Sequence, residues 1–483
     1  MVARHHFPVL PSCRLTAITF SGMSAWVVGA KSPAYDLTFQ LCLRCKIGWG
    51  FLFFKVTVYC LLFTVYDIQN FPPNYFMFRH LKNLFHLLSG CLAVMYYRFP
   101  ARRLTVVGVT GTDGKTTTTS IVYHLLTKAG FKTAMITTVG AVIAGKTYDN
   151  GFHVTTPNAW LLQKYLRQAV AAGVTHVALE VSSHSLDQHR VVGIHFRVGV
   201  LTNVTHEHLD YHKTYERYVA AKTKLLQRAK LAIVNRDDES YELVMSLLKD
   251  HRVIRYGLKN PATTELNTGT FPFSTTLLGE FNRYNALAAI GAVQELGIDE
   301  EVIRDALLSY TAPEGRQKIV YDKDFKVIVD FAHTPNAFEK ILAAVRPLTP
   351  GRLIHVFGSA GLRDVTKRPL MGAASARFAD IIILTAEDPR GEPLEQINQG
   401  IAQNITHFTT RHELKLDASE RRILFAIPDR TAAIVFAIQS AQAGDTVLLT
   451  GKSHEKSMNY DGVNEVPWDE TKEALAALQK RTV

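Results

Sequence analysis

The feature that most constrains the fold is a strand-like run followed by a glycine-rich turn and a helix-like stretch, in residues 104–128. Residues 104–109 read Leu-Thr-Val-Val-Gly-Val, which is typical of a buried strand because β-branched residues favour strands. The turn that follows contains Gly111 and Gly114 and leads into Lys115. Backbone N–H groups at such a turn, and at the start of the helix after it, attract anions. The pattern predicts an α/β protein with a phosphate-binding loop.

Two side chains at the end of this loop, those of Lys115 and Thr116, would bind a nucleotide together with the backbone N–H groups. Lys115 supplies a mobile positive charge for the β- and γ-phosphates of a nucleotide, and Thr116 supplies a hydroxyl group for Mg²⁺. The spacing departs from the strict Walker pattern, since Val109 stands where that pattern has its first glycine. A glycine-rich turn alone also serves plain packing, so the nucleotide interpretation depends on the Gly-Lys-Thr ending.

Strand-like and helix-like stretches alternate along the rest of the chain, which predicts α/β domains with largely parallel sheets. After the loop, strands are predicted at 132–137, 175–180, 198–201 and 231–234, and helices at 159–172, 214–229 and 282–296. After a break at 312–315, strands are predicted at 326–330, 352–357, 381–385 and 446–449, and helices at 336–346, 368–378, 394–404 and 429–442. The predicted fold class is α/β, with a P-loop ATPase-like central domain (104–312), a Rossmann-like domain (313–483) and a ligand cleft between them.

Residues 1–103 differ from the remainder in composition. They contain all five cysteines, and eleven Lys and Arg residues against two acidic residues, so +9 of the net charge of +11 lies there. Because the body of the chain is nearly neutral, the basic pI does not indicate nucleic-acid binding. The odd number of cysteines and the single CxxC, Cys42 to Cys45, favour reduced thiols in a cytosolic protein over disulfides or a zinc site.

Three interpretations of residues 1–103 stay open. Residues 48–65 are just long enough to span a membrane, and residues 77–97 carry leucines at helical spacing, so the segment is a membrane or interfacial anchor in the first interpretation. In the second it is an unfamiliar domain. In the third, which we favour, the start codon is placed too early and Met77 is the natural start. Peripheral membrane contact through residues 48–97 is the alternative to a purely cytoplasmic location.

Acidic and histidine residues follow two of the predicted strands. Glu180 ends one strand, where α/β proteins place ligand contacts. His206, His208 and His212 follow another, but their spacing is not that of a zinc site. Mg²⁺ held by one His, one Glu and phosphate oxygens fits better beside a phosphate-binding loop.

Ten motifs stand in order across both predicted domains. They are Gly-Val-Thr-Gly-Thr-Asp-Gly-Lys-Thr-Thr-Thr (108–118), Leu-Glu-Val-Ser-Ser-His (179–184), His-Leu-Asp-Tyr-His (208–212), Tyr-Val-Ala-Ala-Lys (218–222), Gly-Glu-Phe-Asn-Arg-Tyr-Asn (279–285), Gly-Arg (315–316), Asp-Phe-Ala-His-Thr-Pro (330–335), Lys-Arg-Pro (367–369), Glu-Asp-Pro-Arg (387–390) and Gly-Lys-Ser-His-Glu (451–455). Together they resemble the Mur ligase family, within it the UDP-N-acetylmuramoyl-tripeptide synthetases, over residues 104–470. The family's usual N-terminal UDP-binding domain is not recognisable in residues 1–103.

The resemblance implies ATP and Mg²⁺ as cofactors. The residues it assigns to ATP are Gly111, Thr112, Asp113, Gly114, Lys115, Thr116, Thr117, Asn282, Asn285, Arg316, Asp330 and His333. The residues it assigns to Mg²⁺ are Thr116, Glu180, His208 and Lys222, the last as a carbamylated side chain. The residues it implies to be catalytic are Lys115, Lys222, Arg316 and His208.

The resemblance also implies the reaction, in which ATP activates a carboxylate of UDP-N-acetylmuramoyl-L-alanyl-D-glutamate as an acyl phosphate that an amino acid then attacks, in peptidoglycan precursor synthesis. The implied substrate residues are Thr155, Thr156, Ser182 and Arg190 for the muramoyl-peptide, and Asp388, Arg390, Gly451 and Glu455 for the amino acid. The guanidinium of Arg390 suits the distal carboxylate of meso-diaminopimelate, which we favour over L-lysine. Besides lacking a recognisable UDP-binding domain, the sequence departs from the family pattern at 387–390, which reads Glu-Asp-Pro-Arg where diaminopimelate ligases carry Asp-Asn-Pro-Arg.

Two alternatives remain for the function. One is another amide ligase of the superfamily, of the folylpolyglutamate or cyanophycin type, and the other is a non-catalytic, membrane-attached nucleotide-binding scaffold. We further expect a monomer that does not bind nucleic acid and closes its C-terminal domain over the central domain during the reaction.

Overall fold

The computed structural model describes residues 13–20, 23–30, 41–44, 76–148, 155–205, 209–259 and 261–481. The chain divides into two compact units, Met1–Leu84 and Phe85–Val483. The apolar stretch at 48–65 and the residues His206 and His208 lie outside the described residues. Among the residues that are described, no helix is both long enough and apolar enough to cross a membrane.

Among the described residues of the first unit, three strands form one antiparallel sheet. They are β1 (Cys13–Phe20), β2 (Met23–Ala30) and β3 (Leu41–Arg44), in the order β1-β2-β3. The helix α1 (Phe76–Tyr96) begins in this unit and ends in the second one.

The second unit begins with the central domain. Its strands are β4 (Thr105–Thr110), β5 (Thr133–Thr137), β6 (Gly140–Ile143), β7 (Lys146–Tyr148), β8 (His176–Glu180), β9 (Phe196–Leu201), β10 (Ala229–Asn235) and β11 (Val253–Tyr256). Its helices are α2 (Lys115–Lys128), α3 (Ala159–Ala171), α4 (Ser183–Asp187), α5 (Leu209–His212), α6 (Tyr215–Gln227), α7 (Tyr241–Leu248), α8 (Glu280–Gln294) and α9 (Glu300–Leu308). A 3₁₀ turn, Pro100–Arg103, leads into β4.

The central sheet has the order β11-β10-β9-β4-β8-β5-β6-β7, and only the pairs β5–β6 and β6–β7 are antiparallel. Apolar cores cover both faces: Val107 and Val109 of β4 belong to one core, with α2 and α8, whereas Val106 belongs to the other, with α3. Burial on both faces explains why β4 reads as a continuous apolar run. It also places the end of β4, and the loop after it, at the middle of the sheet.

The C-terminal domain repeats this architecture. Its strands are β12 (Lys318–Asp322), β13 (Lys326–Asp330), β14 (Leu353–Phe357), β15 (Ile381–Leu384), β16 (Thr409–Arg411), β17 (Ile423–Ala426), β18 (Thr446–Thr450), β19 (Ser457–Asn459) and β20 (Glu465–Pro467). Its helices are α10 (Pro335–Val345), α11 (Lys367–Phe378), α12 (Leu394–Ala402), α13 (Arg430–Ser440) and α14 (Glu470–Arg481). The main sheet has the order β12-β13-β18-β14-β15-β17-β16, with only β12 antiparallel to its neighbour.

The predicted fold class is confirmed, because both domains are α/β with mostly parallel sheets. The short antiparallel strands β6, β7 and β12 were not predicted. β6 and β7 have three or four residues each, and β12 is half exposed at the sheet edge, so none of them carries the continuous apolar pattern of a buried strand.

Residues 85–103, which the composition groups with the N-terminal segment, belong to the second compact unit. A Cβ atom on Gly90 would lie 2.5 Å from a methyl group of Val192, and one on Gly193 would lie 2.6 Å from Val94. The end of α1 therefore packs closely against the 189–193 loop of the central domain. The predicted domain boundaries stay predictions.

Candidate functional site

The phosphate-binding loop connects the end of β4 to the start of α2. Gly114 precedes α2 with a φ of 80°, a conformation that residues with a side chain rarely adopt. A Cβ atom on Gly114 would also overlap Oδ1 of Asn285 from α8. Glycine is thus required both for the backbone angle and for the close approach of α8, and the loop lines a cavity of about 540 Å³.

Asn203 holds the loop in place from the end of β9. Its Oδ1 accepts a hydrogen bond from the Asp113 N–H at 2.9 Å, and its Nδ2 donates to the Asp113 carbonyl at 3.0 Å. The hydroxyl of Thr202 donates to the same carbonyl at 2.6 Å. Neither residue was predicted to have a role, although both follow a predicted strand at the edge where ligands bind.

Thr116 and Glu180 form a pair of oxygen donors below the loop. The Thr116 hydroxyl donates to Glu180 Oε2 at 3.0 Å, and Thr138 donates to both carboxylate oxygens, from its N–H at 2.9 Å and its hydroxyl at 3.0 Å. Glu180 is buried, so Thr138 fixes a charge that would otherwise be poorly solvated. A hydroxyl beside a carboxylate is a donor set that suits Mg²⁺. The described residues contain no group of three His, Cys, Asp or Glu side chains that could hold a metal.

Lys222 reaches the same loop from α6. Its side chain is 2% exposed, its Nζ donates to the Gly111 carbonyl at 2.5 Å, and it lies 4.4 Å from the centre of the Tyr218 ring. The Tyr218 hydroxyl in turn lies 3.2 Å from Thr112 Oγ1. The structure thus places Lys222 at the loop, whereas His208 lies outside the described residues.

A chain of polar side chains runs from the loop into the C-terminal domain. Asn285 donates to Asn282 at 3.0 Å, Asn282 donates to Gln317 Oε1 at 3.0 Å, and the Gln317 N–H donates to Asp330 at 2.9 Å. Burial raises the pKa of Asp330, against the opposing effect of Arg316. Gln317, which sequence reasoning missed, lies directly after the predicted Arg316 and joins the two domains.

Arg316 comes from the connection between the domains and lies over the loop. Its Nη2 donates to the Thr116 hydroxyl at 3.3 Å, and its guanidinium carbon lies 4.6 Å from the centre of the Phe331 ring. Its buried Nε finds no hydrogen-bond acceptor among the described residues. A buried guanidinium N–H without a partner favours an anionic oxygen as its ligand.

A second contact between the domains involves Asn336, near the start of α10. Its Nδ2 donates to Asp113 Oδ2 at 2.7 Å. Thr334 caps α10 by accepting from the Ala337 N–H at 3.1 Å, and Pro335 occupies the first turn. The Asp113 carboxylate therefore lies at the positive end of this helix dipole, which favours an anion.

The predicted acceptor residues come together on the other side of Lys115. The Thr156 hydroxyl donates to the Glu180 carbonyl at 3.0 Å and accepts from the Ser182 N–H at 3.0 Å. Arg190 donates to the Thr156 carbonyl at 2.7 Å. These contacts form one wall of a cavity of about 410 Å³.

The predicted amino-acid residues line the same cavity. Buried Lys452 bridges two carboxylates, with its Nζ 2.8 Å from Asp388 Oδ1 and 2.6 Å from Glu455 Oε2. The Arg390 guanidinium lies 3.7 Å from the other oxygen of Asp388. Burial raises the pKa of Glu387 to about 8, and its Oε2 has no hydrogen-bond donor among the described residues. Lys452 and Glu387 were not predicted as site residues.

The two cavities meet at shared residues. Lys115, Thr155, His333 and Glu455 line both, and Lys115 also donates to the Thr112 carbonyl at 2.8 Å. The other predicted residues that line the first cavity are Thr112, Asp113, Gly114, Thr116, Thr117, Glu180, Asn282, Asn285, Arg316 and Asp330. Those that line the second are Gly111, Thr156, Ser182, Arg190, Lys222, Asp388, Arg390 and Gly451. The structure thus gathers every described residue that was predicted, while their individual roles stay predictions.

Two α/β domains with a phosphate-binding loop at their junction define a class of nucleotide-dependent proteins. The family described as Mur ligase middle domain matches residues 109–293, and the one described as Mur ligase, glutamate ligase domain, matches residues 315–453. The UDP-N-acetylmuramoyl-L-alanyl-D-glutamate–2,6-diaminopimelate ligase of Trichormus variabilis is 39% identical, over 81% of this chain and 80% of its own. The UDP-N-acetylmuramyl-tripeptide synthetase of Roseiflexus is 38% identical, over 80% and 81%. The chain belongs to the Mur ligase family, as its motifs predicted.

Solved structures agree with this assignment. The structure of a UDP-N-acetylmuramoyl-L-alanyl-D-glutamate–2,6-diaminopimelate ligase superposes with a TM-score of 0.54 at 31% identity, covering 79% of each chain. The folylpolyglutamate synthase of Mycobacterium tuberculosis superposes with a TM-score of 0.60 at 17% identity, covering 81% of this chain and 95% of its own. The second similarity concerns the fold alone.

Proposed function

We propose that this Mur ligase is an ATP-dependent ligase that adds meso-diaminopimelate to UDP-N-acetylmuramoyl-L-alanyl-D-glutamate. The observation that carries the proposal is the junction of the two cavities at Lys115, with the phosphate-binding loop on one side and the predicted acceptor and amino-acid residues on the other. ATP, the muramoyl-peptide acceptor and the amino acid must meet at one place, because the acyl phosphate forms from the first two and reacts with the third. The names of the relatives and the guanidinium of Arg390 support diaminopimelate as the added amino acid.

In the first step, a carboxylate oxygen of the acceptor attacks the γ-phosphorus of ATP, and ADP leaves. Lys115, at the end of the loop, and Arg316, from the connection between the domains, offset negative charge on the transferred phosphoryl group. Thr116 and Glu180 would hold Mg²⁺, which supplies further charge neutralisation when it is bound. A carbamylated Lys222 would add a carboxylate-like oxygen, and its position at Gly111 supports that role.

In the second step, the amine of the amino acid attacks the acyl carbon, loses a proton and displaces phosphate. Arg390 and Glu455 line the same cavity as the acceptor residues, so the amine is held close to the acyl phosphate. The contacts of Arg316 and Asn336 across the domain junction would exclude water from the acyl phosphate, which water would otherwise hydrolyse.

Phosphate release from ATP tests the proposal, with UDP-N-acetylmuramoyl-L-alanyl-D-glutamate as acceptor and the amino acid varied. We expect release with meso-diaminopimelate, much slower release with L-lysine, and none from Lys115→Ala. If a folded, ATP-binding protein releases no phosphate with any amino acid, the proposed function is wrong. The monomeric state, the cytoplasmic location and the lack of nucleic-acid binding stay predictions.

A further inference from the structure

The outer side of α1 is unusual for a helix on a protein surface. Leu88 and Met95, which are seven residues apart and therefore lie on one side of the helix, are 56% and 53% exposed, and Tyr96 is 71% exposed. No Asp, Glu, Lys or Arg occurs in residues 83–97. The solvent-facing side of such a helix is ordinarily polar, so this side is suited to an apolar environment.

An aromatic group continues this surface onto α3. Trp160 is 39% exposed, and its ring centroid lies 5.7 Å from that of Tyr96 and 6.4 Å from that of Tyr97. Phe99, which follows Tyr96 by three residues in the chain, is also 39% exposed. Trp and Tyr have apolar rings and polar tips, which suit the headgroup region of a bilayer.

Exposed basic residues surround the aromatic group. They are Arg98, Arg102 and Arg103 around the 3₁₀ turn, and Lys164 and Arg167 on α3, against which that turn packs. The guanidinium carbon of Arg102 lies 4.5 Å from the centre of the Phe99 ring. The sequence has no acidic residue from 68 to 112 or from 150 to 179. The surface therefore combines apolar, aromatic and cationic side chains.

We propose that this surface, formed by the outer side of α1, the 3₁₀ turn and the exposed side of α3, docks onto an anionic lipid bilayer. Apolar side chains enter the headgroup boundary, and the arginines and lysines pair with lipid phosphates. Charge complementarity selects the anionic bilayer as the partner.

Docking would also place the acceptor cavity beside the bilayer, a consequence that rests on the proposed function. The end of α1 packs against the 189–193 loop through Gly90 and Gly193, and Arg190 of that loop lines the acceptor cavity. The docking itself requires no ligase activity and is tested by binding alone.

Co-sedimentation of the full chain with vesicles tests the proposal. We expect binding to phosphatidylcholine vesicles that contain phosphatidylglycerol, weak binding to pure phosphatidylcholine, and loss of binding as salt is raised. Reversing two charges in Arg102→Glu/Arg103→Glu should lower binding at least about tenfold. Lys415→Glu/Lys480→Glu, which makes the same charge change on exposed residues of the C-terminal domain, should leave binding unchanged.

Fluorescence adds a readout at the surface itself. The emission of Trp160 should shift to the blue on addition of the anionic vesicles, and this shift should be missing in Trp160→Phe. The proposal would be overturned if Arg102→Glu/Arg103→Glu and Lys415→Glu/Lys480→Glu bound vesicles equally well, or if binding did not depend on the charge of the lipids. Light scattering tests the alternative that the surface pairs two copies of the chain. If Tyr96→Ser/Trp160→Ser converts a dimer into a monomer while vesicle binding persists, the surface is a dimer interface and the proposal is wrong. Phosphate release by the charge variants in solution should equal that of the unaltered protein, which separates this test from that of the ligase.

Discussion

Burial decides the charge of one carboxyl group, that of Glu387, in the cavity lined by Asp388 and Arg390. Asp388 and Glu455 share the cation of Lys452, whereas Glu387 lies within the same cavity with one oxygen left without a donor among the described residues. Its raised pKa of about 8 means that Glu387 is mostly protonated at neutral pH. When Glu387 is neutral, Lys452 faces the two carboxylates of Asp388 and Glu455 without a third buried anion beside them.

A neutral replacement tests this assignment. Between the ordinary pKa of a glutamate, 4.5, and about 8, the folded protein holds a proton on Glu387 that the unfolded chain releases. Stability from this group is therefore fully present below pH 4.5 and declines as pH rises to about 8, by up to about 1.4 kcal/mol per pH unit. Urea unfolding of the unaltered protein and Glu387→Gln at pH 5 to 8.5 should show this decline only in the former. Parallel pH profiles would contradict the raised pKa.

Arg390 gives a second prediction for a single residue. Arg390→Ala should lower kcat/KM for meso-diaminopimelate by about tenfold to a hundredfold, the loss expected for a hydrogen bond between charged groups, and should change kcat/KM for L-lysine little. Arg390→Lys keeps the charge without the planar guanidinium and should lose less. Steady-state phosphate release with each amino acid measures these ratios. An equal loss for both amino acids would mean that Arg390 shapes the cavity instead of selecting the substrate.

Secondary-structure elements position these residues, and the loop between β4 and α2 depends on close packing with α8. Gly114 and Gly130 have similar φ angles, 80° and 85°, but only a Cβ atom on Gly114 would meet a neighbour, Asn285. Both alanine substitutions carry a backbone cost of roughly 1–2 kcal/mol. We expect only Gly114→Ala to weaken ATP binding, by at least about tenfold. Isothermal titration calorimetry with both variants measures this, and an equal effect of the two would point to the backbone angle alone.

At the scale of the whole molecule, hydrogen bonds between side chains join the two domains over the loop. The hydrogen bond between Asn336 and Asp113 is one, and Asn336→Asp would replace it with two carboxylates facing each other. We expect this variant to populate a more open arrangement, with a larger radius of gyration in X-ray scattering and a lower kcat/KM. Asn464→Asp, on an exposed turn, is the matched control. An unchanged radius and unchanged activity would show that the contact does not govern closure.

Most of the fold could be predicted from sequence because its strands are buried on both faces. The strands β4, β8, β13 and β14 are runs of β-branched and aliphatic residues, and the predicted bounds agree with the observed ones to within a residue. The elements that were missed are short, exposed or polar. The phosphate-binding loop was identifiable because its glycines and Gly-Lys-Thr are adjacent in the chain.

Contacts between residues distant in sequence could not be predicted in this way. Gln317 and Asn336 belong to none of the motifs, and an isolated polar residue is most often solvated. Asn203 follows a predicted strand and Lys452 lies within a motif, but neither position indicates which groups the side chain contacts. Only the tertiary structure shows that Asn336 reaches Asp113 across the domain junction, or that Lys452 lies between two carboxylates.

The sequence by itself determined the α/β class, the phosphate-binding loop and membership of the Mur ligase family, because local periodicity and contiguous motifs are sufficient to indicate them. The tertiary structure decided that the two cavities meet at Lys115, and that the end of α1, whose outer side is apolar, packs against the loop that carries Arg190. Both depend on how strands and helices from separate parts of the chain are packed. That packing is set by burial on folding, which no short stretch of sequence contains.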